Sequence, residues 1–559
     1  MAQFPAWHRP TSFGRYRVLA VVAGVTLIAA ACGSGDSPPA SPTPASATSP
    51  SPAAGDTATA TPTLAADTDV ETIDFSSPST IAGADPEFNY TAMVWQGYWL
   101  SRDHFGPLAM GSGMGIPFEP PMDVVRMAMQ MVARNQADQP FVPDNLAPLM
   151  AVYKSGDTAL LDDMTAVPAT DFSGLRLDPS TFDATVGVEG QAQLMLKESQ
   201  WARNFHFTSH FGEPDGGFGA QQRFMGMMVS MLAQMQAQLA MQELLDPADG
   251  LYHDSDVTLD YRGNWTMLQA LADLTGITGD ESLRYFNPEM HGTFAGATGM
   301  LFQALARRKP ADELEAAAAI RALSYVAWVV DDEGLRSDAL ARLDEIAASL
   351  ARRSPTGPVA RAAAVVGLVS AAQATGSGDY TAAIRALWGA LESDFVPETG
   401  IFASKTTYTT DEVAWIIGGL NALAIAGPAD LRAAAARSLV AFFEATLDQS
   451  GMQLAAPPGK TGAMSGPFEE DLPSVVYYHG RNTSPPPMAG GKFGRLTLPA
   501  AEVRFANGAW EVTDTRFETA GGMHLANELN WLGPHLGSVP FPPLRDNQAG
   551  TAGTGETKP

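Results

Sequence analysis

Between residues 90 and 447 apolar side chains recur at intervals of three and four, the period of helices that bury one face. Pro358, a residue suited to a first helical position, opens one such run, which continues over 359–375 and closes at Gly376. Met225, Met228, Leu232, Met235 and Leu239 make a packing seam with the same spacing, and Trp95, Tyr98 and Trp99 share one face of another predicted helix. After Gln449 the pattern changes to Pro and Gly with short apolar runs. Residues 502–512 alternate about Asn507-Gly508, which predicts a β-hairpin, and residues 516–532 predict a closing helix. The chain reads as mainly α with a small C-terminal β-hairpin element.

The helices are spaced with a repeat. Leu245-Asp246-Pro247-Ala248-Asp249-Gly250-Leu251-Tyr252 and Phe395-Val396-Pro397-Glu398-Thr399-Gly400-Ile401-Phe402 look like one turn used twice. Each is followed, 15 residues after its glycine, by a tryptophan, Trp265 or Trp415, early in a predicted helix that ends at Gly276 or Gly427. With Gly376 closing a helix between them, the spacing fits a unit of about 50 residues. That length holds two helices and a turn, so the chain reads as stacked helical hairpins.

Repeated helical hairpins with a Pro-x-x-Gly-apolar-aromatic turn leading into a Trp-bearing helix resemble the α/α-toroid proteins, the six-hairpin glycosidases and related sugar epimerases. The resemblance covers residues 190–450 and implies a toroid whose inner helices present acids and aromatics to a central cleft that commonly binds carbohydrate. The matching positions are the loops after Gly250 and Gly400 and the inner-helix starts. They make Asp260, Asp411 and Glu412 the candidate catalytic acids, and Arg262, Trp265 and Trp415 candidate substrate-binding groups. No family-specific catalytic signature accompanies them.

The residues also allow other readings. Asp411 and Glu412 suit a carboxylate pair in which one is protonated as general acid and one ionised, but Thr409 with Glu412 three residues on also makes a helix capping box. Glu213 and Asp215, further candidate substrate-binding groups, stand in a Gly-rich loop ahead of a long helix, a place where loops present functional groups or merely turn. Of the 24 methionines, 16 fall between Met93 and Met241; thioethers suit Cu(I), and methionine equally fills irregular cores. His206 and His210, at i and i+4, and His524 with Glu528 at the same spacing, would together supply four ligands to a metal if their segments met. Gly459-Lys460-Thr461 imitates a phosphate loop, but Leu454 stands where its first glycine would be.

The N-terminus bears on location. Residues 18–31 are an uncharged apolar run of 14 after Arg9, Arg15 and Arg17, too short for a ~30 Å hydrocarbon core and ordered like an export signal. The run ends in Leu27-Ile28-Ala29-Ala30-Ala31-Cys32, with the chain's only cysteine last. It resembles the bacterial lipoprotein signal, with Ala29 where the family usually has Leu. The resemblance implies a mature chain that begins at Cys32 and is anchored by its acyl chains to the extracytoplasmic side of a membrane.

Residues 1–31 are thus the expected signal and 32–69 a Ser/Pro/Thr-rich tether. Residues 70–189 are a Met-rich helical segment, 190–450 the helical hairpins, 451–539 the Pro/Gly-rich segment with hairpin and closing helix, and 540–559 a tail. Cleavage would remove three arginines and no acid, leaving 31 basic against 61 acidic residues and a formal charge of −30. Such a surface excludes nucleic acid as a natural partner. The expectation is a lipid-anchored protein that binds or processes carbohydrate without a cofactor. The alternatives are a copper- or other metal-handling lipoprotein and a scaffold that docks a partner.

Overall fold

The computed structural model describes residues 77–84, 86, 88–132, 146–158, 177–207, 217–281, 287–453 and 498–532. Cys32 with its signal and tether, His210, Glu213, Asp215 and the 540–559 tail lie outside them. The chain is mainly helical. Helix α1 (Tyr90–Met110) starts on Asn89, whose side chain accepts from the Ala92 N–H and so satisfies one orphan donor of the first turn. After it come β1 (Gly115–Pro117), α2 (Met122–Val132), β2 (Leu149–Asp157) and β3 (Asp183–Val186). The helices then continue as α3 (Val188–Phe207), α4 (Gly217–Glu243), α5 (Tyr261–Gly279), α6 (Pro288–Leu305), α7 (Glu313–Val329), α8 (Glu333–Leu350), α9 (Pro358–Thr375) and α10 (Thr381–Glu392). Last are α11 (Thr410–Ala426), α12 (Arg432–Phe443) and α13 (Thr519–Asn530).

Helices α3, α5, α7, α9, α11 and α13 each pack on the next, and α13 packs back on α3, so their contacts close a cycle. Each also packs on a helix outside the cycle: α4 on α3, α6 on α5, α8 on α7, α10 on α9, α12 on α11 and α1 on α13. Burial separates α8 from α9. Outer helix α8 buries only Ala339, Leu343, Ile346, Ala347 and Leu350, a stripe at helical spacing, whereas inner helix α9 is buried without a break from Ala362 to Ala371. Among the described residues α9 is also the one helix long and apolar enough to cross a membrane, and its burial on α7, α8, α10 and α11 makes it a core helix here.

The helix expected within 516–532 is α13, and it fills the place between α11 and α3. The cycle therefore draws on the expected hairpin region, on the C-terminal segment for α13 and on the Met-rich segment for α1. That Met-rich segment also holds strands that helical periodicity did not suggest: β2 pairs antiparallel with β1, with β3 and with β11 (Arg516–Glu518), the strand that leads into α13. The expected hairpin is β9 (Glu502–Ala506) with β10 (Ala509–Asp514), turned by Asn507 and Gly508 at φ +53° and +79°. Its strand β9 pairs with β8 (Thr407–Thr409), directly ahead of α11.

The two sequence twins are one structure. β4 (Leu245–Asp246) pairs with β5 (Leu251–Tyr252), and β6 (Phe395–Val396) with β7 (Ile401–Phe402). In each, the glycine N–H donates back across the turn, Gly250 to Asp246 O and Gly400 to Val396 O, both at 2.9 Å. Both glycines have positive φ, +75° and +68°, but their surroundings differ. A Cβ on Gly250 would meet only Ala304 Cβ at 3.5 Å, whereas one on Gly400 would sit 2.4 Å from Ala441 O. Gly250→Ala should therefore cost ~1–2 kcal/mol, the left-handed penalty alone. Gly400→Ala should add about 1–3 kcal/mol of overpacking. Urea unfolding of the two variants checks this, and equal losses would contradict it.

Candidate functional site

Three inner helices carry a charge at their second residue: Glu189 in α3, Arg262 in α5 and Asp411 in α11. Acids are favourable at a helix N-terminus and a cation is not, so Arg262 needs partners. It has two. Its Nε and Nη2 donate to Glu189 Oε2 at 3.0 and 2.7 Å, and its Nη1 donates to Asp411 Oδ2 at 2.8 Å. Helices α5 and α11 are three steps apart in either direction around the cycle, so the Arg262–Asp411 pair spans it. Small residues let the helix starts approach. A Cβ on Gly263 would lie 2.9 Å from Glu189 N, and one on Gly521 3.0 Å from Asp411 N.

Beneath this pair lies another. His524 of α13 places Nδ1 2.7 Å from Asp411 Oδ1 and Nε2 3.3 Å from Glu528 Oε1. Arg321 of α7 donates through Nη1 to Glu528 Oε1, and α7 and α13 again face each other across the cycle. The Arg321 guanidinium lies 5.6 Å from the Trp415 ring centre and 5.2 Å from that of Trp531, and Trp415 stands edge-on to His524 at 4.7 Å. Gly418 makes room, since a Cβ there would fall 2.5 Å from Glu528 Oε2. Glu189, Arg262, Asp411, His524, Glu528 and Arg321 thus form one connected series in which acidic and basic side chains alternate.

Exposure grades the series. The Arg262 side chain is 25% exposed, Asp411 16% and Glu189 9%, whereas His524 and Glu528 are each at 2%. Burial opposes the charge on Asp411, but Arg262 and His524 outweigh it and hold the carboxyl well below the usual range. Burial pushes Glu189 up to about 7; the charges of Asp411 and Asp260 add to the rise and Arg262 opposes it. The same contest favours charge deeper in. Arg321 and His524 overcome the burial of Glu528 and keep its carboxyl low, while Asp411 and Glu528 overcome the burial of His524 and raise its imidazole.

The other candidates divide. Asp260 is the N-cap of α5 but makes no capping bond with its side chain. Glu412 is committed to the capping box: its Oε2 accepts from Thr409 N at 2.9 Å, Thr409 Oγ1 accepts from Glu412 N at 3.3 Å, and Lys405 holds the other oxygen at 2.8 Å. The capping reading thus holds for Glu412, and Asp411 is the acid that joins the series. Trp265 is wholly enclosed in the core and Trp415 sits below the cross-cycle pair. His206 lies near the end of α3. His524 and Glu528 do meet each other, but their partners are a carboxylate and a guanidinium.

Met129, Met228, Met231 and Met235 pack with Phe118, Val125, Ala128 and Phe224 in a satellite core between α2 and α4, which is core use of the thioether. A group not expected from the sequence is Asp246, Asp249 and His253, whose ligand-type atoms lie within 4.8 Å of one another at the surface. Two of its carboxylate oxygens cap the turn, accepting from Ala248 N at 2.8 Å and Leu251 N at 2.9 Å.

Glu189 and Arg321 were also missed. Arg321 had a signal: it is the lone cation inside the Ala-rich apolar stretch of α7, where a charge must find a partner. Compared with protein-family models, curated proteins and solved structures, the chain gives no significant match.

Proposed function

We propose that the chain is an α/α toroid that binds or processes carbohydrate at the N-terminal mouth of its inner helices. The closed cycle of inner helices, each backed by an outer one, supports the architecture. The observation that carries the function is the convergence of Glu189 and Asp411 on Arg262 at that mouth, two carboxyls whose surroundings drive their proton affinities apart. Glu189, pushed up to about 7, is the group suited to carry and donate a proton, and Asp411 the group suited to stay ionised. Arg262 and the two carboxylates offer hydroxyl-rich ligands both donors and acceptors. The Cys32 lipobox supports a lipid-anchored protein that meets glycans on the extracytoplasmic side.

Asp411→Asn tests the site. The substitution keeps size and shape, removes the charge between Arg262 and His524, and should abolish glycan-array binding or turnover seen with the wild type while circular dichroism stays helical. A wild type that binds no glycan, or a variant that binds as well, would overturn the assignment. Cys32→Ser tests the location: metabolic fatty-acid label should vanish and the protein should leave the membrane fraction. Equal label in both proteins would end the lipoprotein reading.

A further inference from the structure

His524 sits between two carboxylates and uses both of its nitrogens on them, Nδ1 toward Asp411 at 2.7 Å and Nε2 toward Glu528 at 3.3 Å. A neutral imidazole has one N–H and one lone pair, so in this place its lone pair would face an anionic oxygen. The conflict is relieved if the imidazole carries both protons or if one carboxyl takes the proton instead. The second route is closed by the arginines, because Arg262 holds Asp411 and Arg321 holds Glu528, and both favour the ionised carboxylate.

The other elements packed on α13 bring nothing that competes. From α3, Lys197 Nζ reaches Ala526 O of α13 at 2.8 Å, and Glu189 stands behind Arg262. From α1, Ser101 Oγ donates to that same carbonyl at 2.7 Å, and His104 turns to Gln453. From α11 comes Asp411, with the Trp415 edge. From β2, the Tyr153 carbonyl accepts from Thr519, and from β11 comes Glu518, exposed at the helix start.

We propose that His524 is held as an imidazolium through neutral pH and is the positioning residue that fixes Asp411, ionised and aimed, at the mouth of the cycle. The consequence for ligands rests on the carbohydrate reading above; the protonation does not. By linkage, a histidine whose folded-state affinity for its proton exceeds the unfolded value near 6.5 gives stability that is complete below that pH. The stability is lost as pH rises through the folded-state value. The His524 contribution should therefore persist in mild acid and be lost in alkali, while stronger acid removes the contribution of Asp411 and Glu528 as their carboxylates take up protons.

Nitrogen-15 NMR of the full chain with ring-labelled histidine tests this, with His524→Gln to assign the signal. At pH 7.5 both His524 nitrogens should read as protonated. A bare nitrogen on His524 at that pH would overturn the proposal. Glu528→Gln removes one of the two carboxylates and should lower the His524 midpoint by about one pH unit or more; an unmoved midpoint would also overturn it. If glycan affinity exists, it should fall as pH rises through the same midpoint, and affinity that stays flat through that titration contradicts the positioning role. Doubly protonated His524 in a protein that binds no glycan would instead sink the carbohydrate reading and leave the interior proton standing.

Discussion

Arg262→Met is expected to destabilise the protein by about 3 kcal/mol at pH 7, because it removes one partner of a largely enclosed pair and leaves carboxylates behind. Fully buried pairs lose ~3–5 kcal/mol in such experiments, and the 25% exposure of Arg262 places it at the lower end. Glu189 and Asp411 would then face each other with His524 as the nearest compensating charge. The loss should shrink as pH falls toward about 4, where the stranded carboxyls take up protons. Urea unfolding of wild type and variant at pH 7 and pH 4.5 checks both parts. A loss under ~1 kcal/mol at pH 7 would mean that Arg262 is an ordinary surface ion-pair residue.

Trp265→Ala should cost more, ~3–5 kcal/mol, as expected for truncating a large side chain in a packed core. Trp265 has no exposed surface. Its twin Trp415 is also buried but lies against His524 and Arg321. The resemblance placed both tryptophans among substrate-binding groups, and the structure separates them. In Trp265→Ala the folded fraction should therefore keep the wild-type glycan affinity while the melting temperature drops steeply. A variant with normal stability and lost binding would return Trp265 to the site.

Much of this was written locally in the chain. Gly250 and Gly400 mark their turns because only a residue without Cβ tolerates that φ cheaply, and Asn507-Gly508 marks the hairpin for the same reason. Arg262 and Asp411 were legible because they stand three and four residues ahead of tryptophans that each follow a turn glycine by 15. What the sequence could not display was which of these starts face each other. Arg262 and Asp411 are 149 residues apart and Arg321 and Glu528 are 207 apart, separations that no helical period encodes.

His524 with Glu528 was visible as an i, i+4 pair, and spacing alone suggested a metal. Its actual partners, a carboxylate and a guanidinium, come from other helices. Glu189 escaped because nothing near it in sequence distinguishes an acid that caps a helix start from one that also holds an arginine. The strands β1 to β3 escaped because β1 and β3 are short, and the methionines around them suit a helix as well as a strand.

Amide hydrogen exchange with and without a glycan found by array screening reads the proposed site itself. Slower exchange is expected at the first turns of α3, α5 and α11, over 188–192, 261–265 and 410–414, together and in proportion to glycan occupancy. Unchanged exchange at those three turns, with protection confined to other parts of the molecule, would contradict the proposed site.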